Sequence, residues 1–386
     1  MRDLEVDCVN NNYTSLNGAK YYKLIAEKMK VIHSKIPEQS FDICKIASTD
    51  VREEFFEGKN QKRFVMYLMS NGCEWALKSG NGCTICGHLA KQTRREEVIS
   101  AENYISQFKS EFSKYSFKEY PILNLYNNGS FLNENEISAE ARREILKTIN
   151  ENKDIKMIVI ETRPEFVTEE KVIEIKKLVP NKRVEIAIGF EVYEDKYRYM
   201  CLNKGFSLNQ FEKAAKLIVE HLYLRTYVML KPPFLTEKES IDEAIKTIEY
   251  VFSIGASTVS LETCTIQEYT LVSYLYSKNY YNTAWLWSIE EVVKKTAHLG
   301  KVIVGLFQFY PSADKVPFNC KKCSNEVLDS LIQYNRSLDL KSFKNTECDC
   351  KNIWNKELEI QEETLEERVI KYLLITSYSK YLIKEI

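Results

Sequence analysis

The chain has 386 residues, which is long enough to bury a large core, and one barrel-sized domain with a small appendage is the expected organisation. Its formal net charge is −1, so no overall positive field attracts nucleic acid and any RNA site has to be a local patch. No run of about 18 apolar residues and no signal peptide are present, which argues against a membrane protein and predicts a cytoplasmic one. Eleven cysteines in such a protein favour metal binding over disulfides.

Strand and helix patterns alternate along most of the chain. Residues 1–60 are expected to form a helical preamble, because Gly18–Ser34 carries apolar residues at helical spacing. Beyond it, helical patterns separate apolar, β-prone segments, and six or seven strand–helix units predict a parallel sheet with right-handed crossovers. The predicted strands are Arg63–Ser70, Pro121–Tyr126, Met157–Ile160, Val184–Ile188, Tyr223–Leu230, Thr258–Leu261 and Val302–Phe309.

Polar or glycine-bearing segments follow these strands where each one leads into the next helix. In an α/β barrel those strand ends form the catalytic face. We therefore predict a partial (β/α)6 barrel of the TIM type over residues 61–312 and a small C-terminal module over 313–386. An open doubly wound sheet is the alternative, but the first strand–helix turn lacks G-x-G-x-x-G, which disfavours a nucleotide-binding Rossmann domain.

Three cysteines lie in the loop after the first predicted strand. Nine residues separate Cys73 from Cys83 and two separate Cys83 from Cys86, with glycines beside each thiol. Three thiolates fit a [4Fe-4S] cluster with one open iron better than a structural zinc ion, which takes four closed ligands. Three unrelated buried thiols are the alternative.

The segments GCEWA and GCTICG in this loop resemble radical S-adenosylmethionine (SAM) enzymes of the archaeosine-synthesis (RaSEA-type) group, which are related to the Elongator catalytic subunit. The resemblance spans about residues 60–355. It implies that the cluster donates an electron to SAM and yields a 5′-deoxyadenosyl radical, with ferredoxin or flavodoxin as the reducing partner. It also implies a tRNA substrate in which a carbon–nitrogen bond of a lysine-modified 7-deazaguanine base is broken to give archaeosine. A partner transferase would supply that base.

Two other functions remain open at this point. One is a different radical SAM reaction on RNA or protein, as in Elongator-like enzymes. The other is a non-catalytic iron–sulfur or zinc protein that binds RNA. Formation of 5′-deoxyadenosine from SAM by the reduced protein distinguishes an enzyme from a binder.

The same resemblance assigns SAM contacts to several strand ends. It implies that Ile85 packs on the adenine and that the turn containing Asn128, Gly129 and Ser130 meets the methionine amino group, although a Gly-Ser turn alone is often just a turn. In the E-x-RP segment after the third strand, Glu161 can accept hydrogen bonds from the ribose or amino group. The Arg163 guanidinium can grip a carboxylate through two hydrogen bonds, unless the two residues form only a surface ion pair.

Three further positions complete the expected site. Gly189 and Glu191 belong to a GxE-like segment, where Glu191 is a candidate for the SAM ribose or for the substrate. Lys231, in the KPPF segment, can bind the SAM carboxylate or an RNA phosphate, and a solvated lysine is nearly as plausible. We expect Cys264 to be a buried structural thiol rather than a catalytic one.

Near the C-terminus, two short-spaced pairs of cysteines form a second metal signature. Cys320, Cys323, Cys348 and Cys350 can hold a tetrahedral zinc ion, with unliganded thiols or a second cluster as alternatives. Lysine, arginine and aromatic residues between the pairs predict a platform for tRNA that is separate from the chemistry. A terminal helix is expected from residue 357 onward.

Overall fold

The computed structural model describes residues 16–78, 82–94, 99–307, 310–361 and 363–378 of the chain. Parts of three predicted elements lie outside the described residues. These parts are the start of the preamble (1–15), the end of the last strand (308–309) and the end of the terminal helix (379–386).

Eight strands form one sheet in which each strand pairs with the next one along the chain. The first pair is antiparallel and all later pairs are parallel. This confirms the prediction of an α/β fold with a partial barrel, which is nearly closed and has seven parallel strands. The strands are β1 (Ser48–Phe56), β2 (Lys59–Tyr67), β3 (Ile122–Tyr126), β4 (Met157–Glu161), β5 (Arg183–Glu191), β6 (Tyr223–Leu230), β7 (Thr258–Thr263) and β8 (Val302–Val304).

The preamble differs from its expected all-helical form, because part of it is β1. A tight turn at Glu57 and Gly58 joins β1 to β2, and both residues have positive φ, 50° and 77°. Two successive positive φ angles match the type I′ hairpin, whose twist suits paired strands. An antiparallel strand is thereby added to the edge of the parallel sheet.

Thirteen α-helices are present in the described ranges, and most of them connect successive strands. Ser207 with Gln210 and Thr236 with Glu239 form capping boxes that fix the starts of the helices at Leu208 and Glu237. The helices are α1 (Leu16–His33), α2 (Glu74–Leu77), α3 (Ala101–Phe112), α4 (Ala139–Glu151), α5 (Glu169–Leu178), α6 (Asp195–Met200), α7 (Leu208–His221), α8 (Glu237–Ser253), α9 (Leu271–Ser277), α10 (Leu286–Thr296), α11 (Ser324–Ser337), α12 (Cys350–Leu358) and α13 (Leu365–Tyr378). No described helix is long and apolar enough to cross a bilayer.

A network of buried ion pairs fills one layer of the barrel interior. Glu54 on β1 lies 2.6 Å from Arg225 on β6, and the same guanidinium lies 2.6 Å from Glu185 on β5. Arg63 and Lys301 also pair with Glu54, at 2.8 and 2.5 Å. Because buried charges are stable only when paired, this network fixes β1 against strands on the far side of the barrel.

Helix α11 lies across the open seam of the barrel, between the edge strands β1 and β8. Asn335 accepts a hydrogen bond from the Val304 N–H at 2.9 Å and donates one to the Val304 carbonyl at 2.8 Å, as a neighbouring strand would. On the other side of the seam, Arg336 pairs with Glu53 of β1 at 2.5 Å. Helix α11 therefore covers the gap between β1 and β8, the two edge strands, which are not hydrogen-bonded to each other.

Candidate functional site

The cysteine loop is folded by contacts with two distant strand ends. Its Thr84 N–H donates to the Leu202 carbonyl at 3.1 Å, beyond β5, and its Gly87 N–H donates to Gln267 Oε1 at 3.1 Å, beyond β7. Gly72 and Gly82 have φ angles of 109° and 101°, a region that side chains rarely adopt, which explains the glycines that precede two of the cysteines.

A cavity of about 660 Å³ opens at the carboxyl ends of the parallel strands. The structure brings ten of the residues expected to bind the cluster or SAM to its wall, and this wall is the face where α/β barrels keep their active sites. These residues are Cys73, Cys83, Ile85, Cys86, Asn128, Gly129, Glu161, Arg163, Gly189 and Glu191.

Two of the expected residues do not line this cavity. Ser130 is buried behind it, where its hydroxyl accepts the Arg163 N–H at 3.1 Å. Lys231 is also buried, and its ammonium lies 2.8 Å from Glu237. Ser130 can therefore orient the strand end that carries Arg163, whereas Lys231 is engaged by another side chain.

Sequence reasoning missed Glu136, which joins the cysteine loop to the end of β3. Its carboxylate accepts hydrogen bonds from the N–H groups of Glu74 and Ser130, at 2.9 and 2.5 Å. Side-chain amides of Asn127 and Asn133 donate to it as well, both at 3.1 Å. A Cβ atom at position 129 would overlap this carboxylate, so the glycine there is needed for close approach. No local motif marks Glu136, because its contact with the cysteine loop is made through the Glu74 N–H, 62 residues away in the chain.

The Arg163 side chain is held beneath the cysteine loop and directed into the cavity. Its guanidinium pairs with Glu165 at 2.6 Å and lies over the rings of Trp75 and Phe206, 5.2 and 5.3 Å from their centroids. Burial disfavours its charge, but Glu165 and the nearby Cys73 thiol raise its pKa on balance. Arg163 is 8% exposed, and its Nη2 has no hydrogen-bond partner among the described residues, so a donor is left for a ligand.

Glu191 and Lys204 form a second polar group on the cavity wall. A β-bulge at the end of β5 places Glu191 in the left-handed region, with φ of 69°. Lys204 Nζ lies 3.0 Å from Glu191 Oε1, while Oε2 has no partner within the described part of the chain. Burial opposes the charge of Lys204, but the Cys83 thiol and Glu191 raise its pKa to about 12. The sequence analysis did not assign Lys204 to the site, and the structure adds it to the cavity wall.

The three thiols of the cysteine loop are not arranged to hold a single metal ion. Within the described residues, they do not form a group whose ligand atoms all lie within 4.8 Å of one another. A single zinc ion needs that closeness, because its Zn–S bonds are about 2.3 Å long. Burial is the main reason that the pKa values of Cys73 and Cys86 are raised to about 12, and nearby Arg163 and Lys204 act in the opposite direction. Metal binding, which requires thiolates, would release these protons.

Acidic and phenolic side chains line a deeper part of the cavity. Burial raises the pKa of Glu161 to about 7, against a hydrogen bond from Tyr227 that favours its charged form, and the charge of Glu262 adds to the rise. Burial also raises the pKa of Glu262, which is close to Arg52 and Glu191. Cys264 is 1% exposed and also lines this cavity.

The C-terminal cysteines meet as one compact group. The sulfur of Cys320 lies 3.6 Å from that of Cys323 and 3.4 Å from that of Cys348, and Cys323 and Cys350 are 3.4 Å apart. All four ligand atoms lie within 4.8 Å of one another. A tetrahedral zinc ion has edges of roughly 3.8 Å between its sulfur ligands, so the four thiols fit that ion.

Tyr334, one aromatic residue of the expected tRNA platform beside these cysteines, is not exposed. Tyr334 is buried, donates its hydroxyl to the Val302 carbonyl at 2.9 Å and stacks on Phe343, so it belongs to the core. Exposed lysines remain nearby, at Lys321, Lys322, Lys341 and Lys344. These lysines could contact phosphates, but the Tyr334 ring is not accessible for a base to stack on.

The module is also joined to the barrel rather than set apart from it. Trp354 Nε1 donates to Ser288 Oγ of α10 at 2.8 Å, and Trp285 Nε1 donates to Glu357 of α12 at 2.7 Å. Cys323 immediately precedes α11, the helix that covers the seam. The metal centre and the cavity wall are therefore connected through one helix.

The comparisons with known proteins agree with the archaeosine resemblance. No family model matches the chain. The chain is 35% identical to archaeosine synthase subunit beta of Methanosarcina acetivorans over 319 residues, which cover 81% of this chain and 89% of that protein. It is 29% identical to archaeosine synthase subunit beta of Thermococcus kodakarensis, covering 78% and 93% of the two chains. It is also 29% identical to an uncharacterised protein of Methanocaldococcus jannaschii, covering 89% and 95%.

Two solved structures are similar at lower levels. An N-terminally truncated Elp3 of Methanocaldococcus infernus matches with a TM-score of 0.42 and 15% identity, covering 61% of this chain and 59% of the other. Methylornithine synthase (PylB) matches with a TM-score of 0.48 and 14% identity, covering 93% and 92%. The sequence relatives establish the family: this chain belongs to the archaeosine synthase subunit beta family.

Proposed function

We propose that the chain is a radical SAM enzyme that acts on tRNA in archaeosine synthesis. In this proposal it breaks a carbon–nitrogen bond of a lysine-modified 7-deazaguanine base and leaves the formamidine of archaeosine. Membership of the archaeosine synthase subunit beta family supports the pathway. The observation that carries the chemistry is one cavity wall shared by Cys73, Cys83, Cys86 and the polar strand ends of β3 to β5.

The cluster site is the three-cysteine loop. Cys73, Cys83 and Cys86 would hold three irons of a [4Fe-4S] cluster, leaving the fourth iron open to SAM. The chemistry that these two groups supply when bound is one-electron cleavage of SAM to methionine and a 5′-deoxyadenosyl radical. Trp75, whose indole donates to the Asn203 carbonyl at 2.8 Å, would cover the loop from water.

The remaining residues of the wall orient SAM. Arg163 Nη2 would donate to the methionine carboxylate, because a fixed guanidinium recognises carboxylates through paired hydrogen bonds. Glu191 Oε2 would accept from the ribose hydroxyls or the amino group, while Lys204 Nζ holds Oε1. Asn128 Nδ2 also lacks a partner among the described residues and would donate to the same ligand.

The C-terminal cysteines would hold a structural zinc ion near the tRNA-binding surface. Zinc takes no part in redox chemistry, so this centre would support the fold and the exposed lysines beside it. Those lysines would contact phosphates and make tRNA binding salt-dependent. A partner transferase that makes the lysine-modified base and a ferredoxin or flavodoxin that supplies the electron complete the proposed partners.

The test begins with anaerobic reconstitution of the wild-type protein. We expect about four irons per chain in addition to zinc, and 5′-deoxyadenosine when dithionite and SAM are added. Substituting Cys73, Cys83 and Cys86 together by alanine should abolish both the iron and the 5′-deoxyadenosine. Cys44→Ala is the matched control, because Cys44 is an exposed free cysteine.

Product identity is tested separately, by mass spectrometry of nucleosides from tRNA that carries the lysine-modified base. Archaeosine should appear only with SAM and reductant. Iron bound by the triple alanine variant would contradict the cluster site. A reconstituted wild-type protein that cleaves SAM but leaves this tRNA unchanged would contradict the substrate.

A further inference from the structure

The Glu136 carboxylate, in the turn between β3 and α4, is 5% exposed and is surrounded by hydrogen-bond donors. Its Oε1 accepts from the Glu74 N–H at 2.9 Å and from the Asn133 amide at 3.1 Å. Its Oε2 accepts from the Ser130 N–H at 2.5 Å and from the Asn127 amide at 3.1 Å. Each oxygen therefore receives two N–H groups, and a proton on either oxygen would face another donor instead of an acceptor.

This arrangement keeps a negative charge in the interior. Burial raises the pKa of Glu136, and its four hydrogen bonds act in the opposite direction. Hydrogen bonds to the charged form of a carboxyl group favour that form even where water is excluded. Within the described ranges, no lysine, arginine or histidine forms an ion pair with it. The charge is thus hydrogen-bonded but not neutralised by a cation of its own.

The carboxylate lies directly beside Cys73. The Glu74 N–H that it accepts belongs to the peptide bond that follows Cys73. A Cβ atom at position 129 would overlap Glu136 Oε2 and lie 3.2 Å from Cys73 Cα, so the two groups face each other across a gap that Gly129 leaves open. Burial and, after it, the charge of Glu136 raise the pKa of the Cys73 thiol to about 12. The carboxylate is therefore close enough to act electrically on this sulfur.

The other contacts of Glu136 lead to the turn that is expected to bind SAM. Ser130, whose N–H it accepts, ends that turn. The Asn133 amide that donates to Glu136 also donates to the Glu74 carboxylate at 2.6 Å, which adds a second link to the start of α2. One buried side chain thus connects the peptide after the first cysteine of the loop with the turn at the end of β3.

We propose that Glu136 is a positioning residue for Cys73 and that its charge lowers the reduction potential of the cluster held by the loop. This inference rests on the proposed function. Hydrogen bonds from residues behind the ligands orient those ligands and tune the metal. Reduction adds one electron from the reducing partner to the cluster, and a fixed negative charge in a weakly screened interior disfavours that step. A cluster of lower potential is the stronger one-electron donor once it is reduced.

The charge is tested by potentiometric titration of the anaerobically reconstituted protein, with the electron paramagnetic resonance signal of the reduced cluster as the readout. Glu136→Gln removes the charge, so we expect the equilibrium constant for one-electron reduction to rise at least tenfold, an upward shift of about 59 mV. Glu136→Asp keeps the charge and should stay closer to wild type than to Glu136→Gln. Glu140→Gln is the matched control, because Glu140 is an exposed carboxylate in the first turn of α4, where water and salt screen it.

The positioning role has a separate readout, which is the rate at which a chelator removes iron. Glu136→Asp is one methylene shorter and cannot reach the N–H groups of both Glu74 and Ser130, so it should lose iron faster than wild type although its potential changes little. Iron loss at the wild-type rate would overturn the positioning role.

Three results would overturn the electrostatic role. They are a wild-type potential in Glu136→Gln, equal shifts in Glu136→Gln and Glu136→Asp, and a Glu136→Gln protein that is folded by circular dichroism and loaded with zinc but takes up no iron. The proposed function is judged on other data. A wild-type protein that shows this dependence on Glu136 but never cleaves SAM would refute the proposed function and leave the role of Glu136 standing.

Discussion

The Asn335 side chain on α11 holds one edge of the barrel seam, and its loss has a predictable cost in stability. Asn335 is 6% exposed and makes two hydrogen bonds to the backbone of Val304, the last residue of β8. Asn335→Ala removes both bonds and leaves a buried N–H and a buried carbonyl without their partner. Each buried polar group left unsatisfied costs about 1–3 kcal/mol, so we expect the two to lower the unfolding free energy by about 2–6 kcal/mol.

The measurement is thermal unfolding of the zinc-loaded protein. With about 2 cal/mol/K of unfolding entropy per residue, a chain of 386 residues has about 0.8 kcal/mol/K, so the midpoint should fall by about 2.5–7.5 °C. Asn325→Ala is the matched control, because Asn325 is exposed in the first turn of the same helix. Asn335→Asp should lie between them, since its carboxylate still accepts from Val304 N–H but can no longer donate.

The same variant should weaken binding of the lysine-modified tRNA. The residue after Val304 is Gly305, which gives the Glu262 carboxylate its space, so movement of β8 reaches the cavity. If the thermal unfolding midpoint is the same for wild type, Asn335→Ala and Asn325→Ala, then α11 does not hold this edge strand.

Three other predictions concern the site and the metal centre. Arg163→Lys should weaken SAM binding about tenfold in equilibrium dialysis, because an ammonium cannot reproduce paired guanidinium bonds; unchanged affinity would remove Arg163 from the SAM contacts. SAM binding should tighten as pH rises from 6 to 8, because Glu161, a candidate acceptor for the SAM amino group, has a pKa of about 7 and must lose its proton to attract that cation. A pH-independent affinity in wild type would contradict this role. Cys320→Ser should release zinc, measured by metal analysis, and expose residues 318–355 to proteolysis; loss of an iron chromophore with no zinc present would identify a second cluster instead.

Much of the barrel could be predicted because the residues of its parallel strands favour a β-strand by themselves and are also buried in the sheet. β6 spans Tyr223–Leu230, residue for residue as predicted, because six of its eight residues are apolar and a Lys-Pro-Pro segment ends it. β1 was missed for the opposite reason. Most of its residues are only partly buried, and its identity depends on pairing with β2 through the Glu57–Gly58 turn.

The site could be predicted where a residue belongs to a local motif, and not where it acts through distant partners. The cysteine loop and the ends of β4 and β5 carry recognisable segments, and their residues line the cavity. Glu136 binds the N–H of Glu74, which lies 62 residues earlier, and Lys204 reaches Glu191 around a turn. Long-range contacts of this kind leave no spacing pattern in the sequence.

The connection between the metal centre and the cavity changes what zinc removal should do. From sequence, the four cysteines belong to a separate docking module, and SAM cleavage should survive Cys320→Ser. In the structure, Cys323 precedes α11, whose Ile332 and Asn335 line the cavity and whose Arg336 pairs with Glu53 of β1. Loss of the ion should therefore loosen the start of the helix that closes the barrel, so that both SAM affinity and substrate affinity decline with zinc content. If SAM affinity and 5′-deoxyadenosine formation stay at wild-type levels in zinc-free Cys320→Ser, the helix holds the seam without help from the metal.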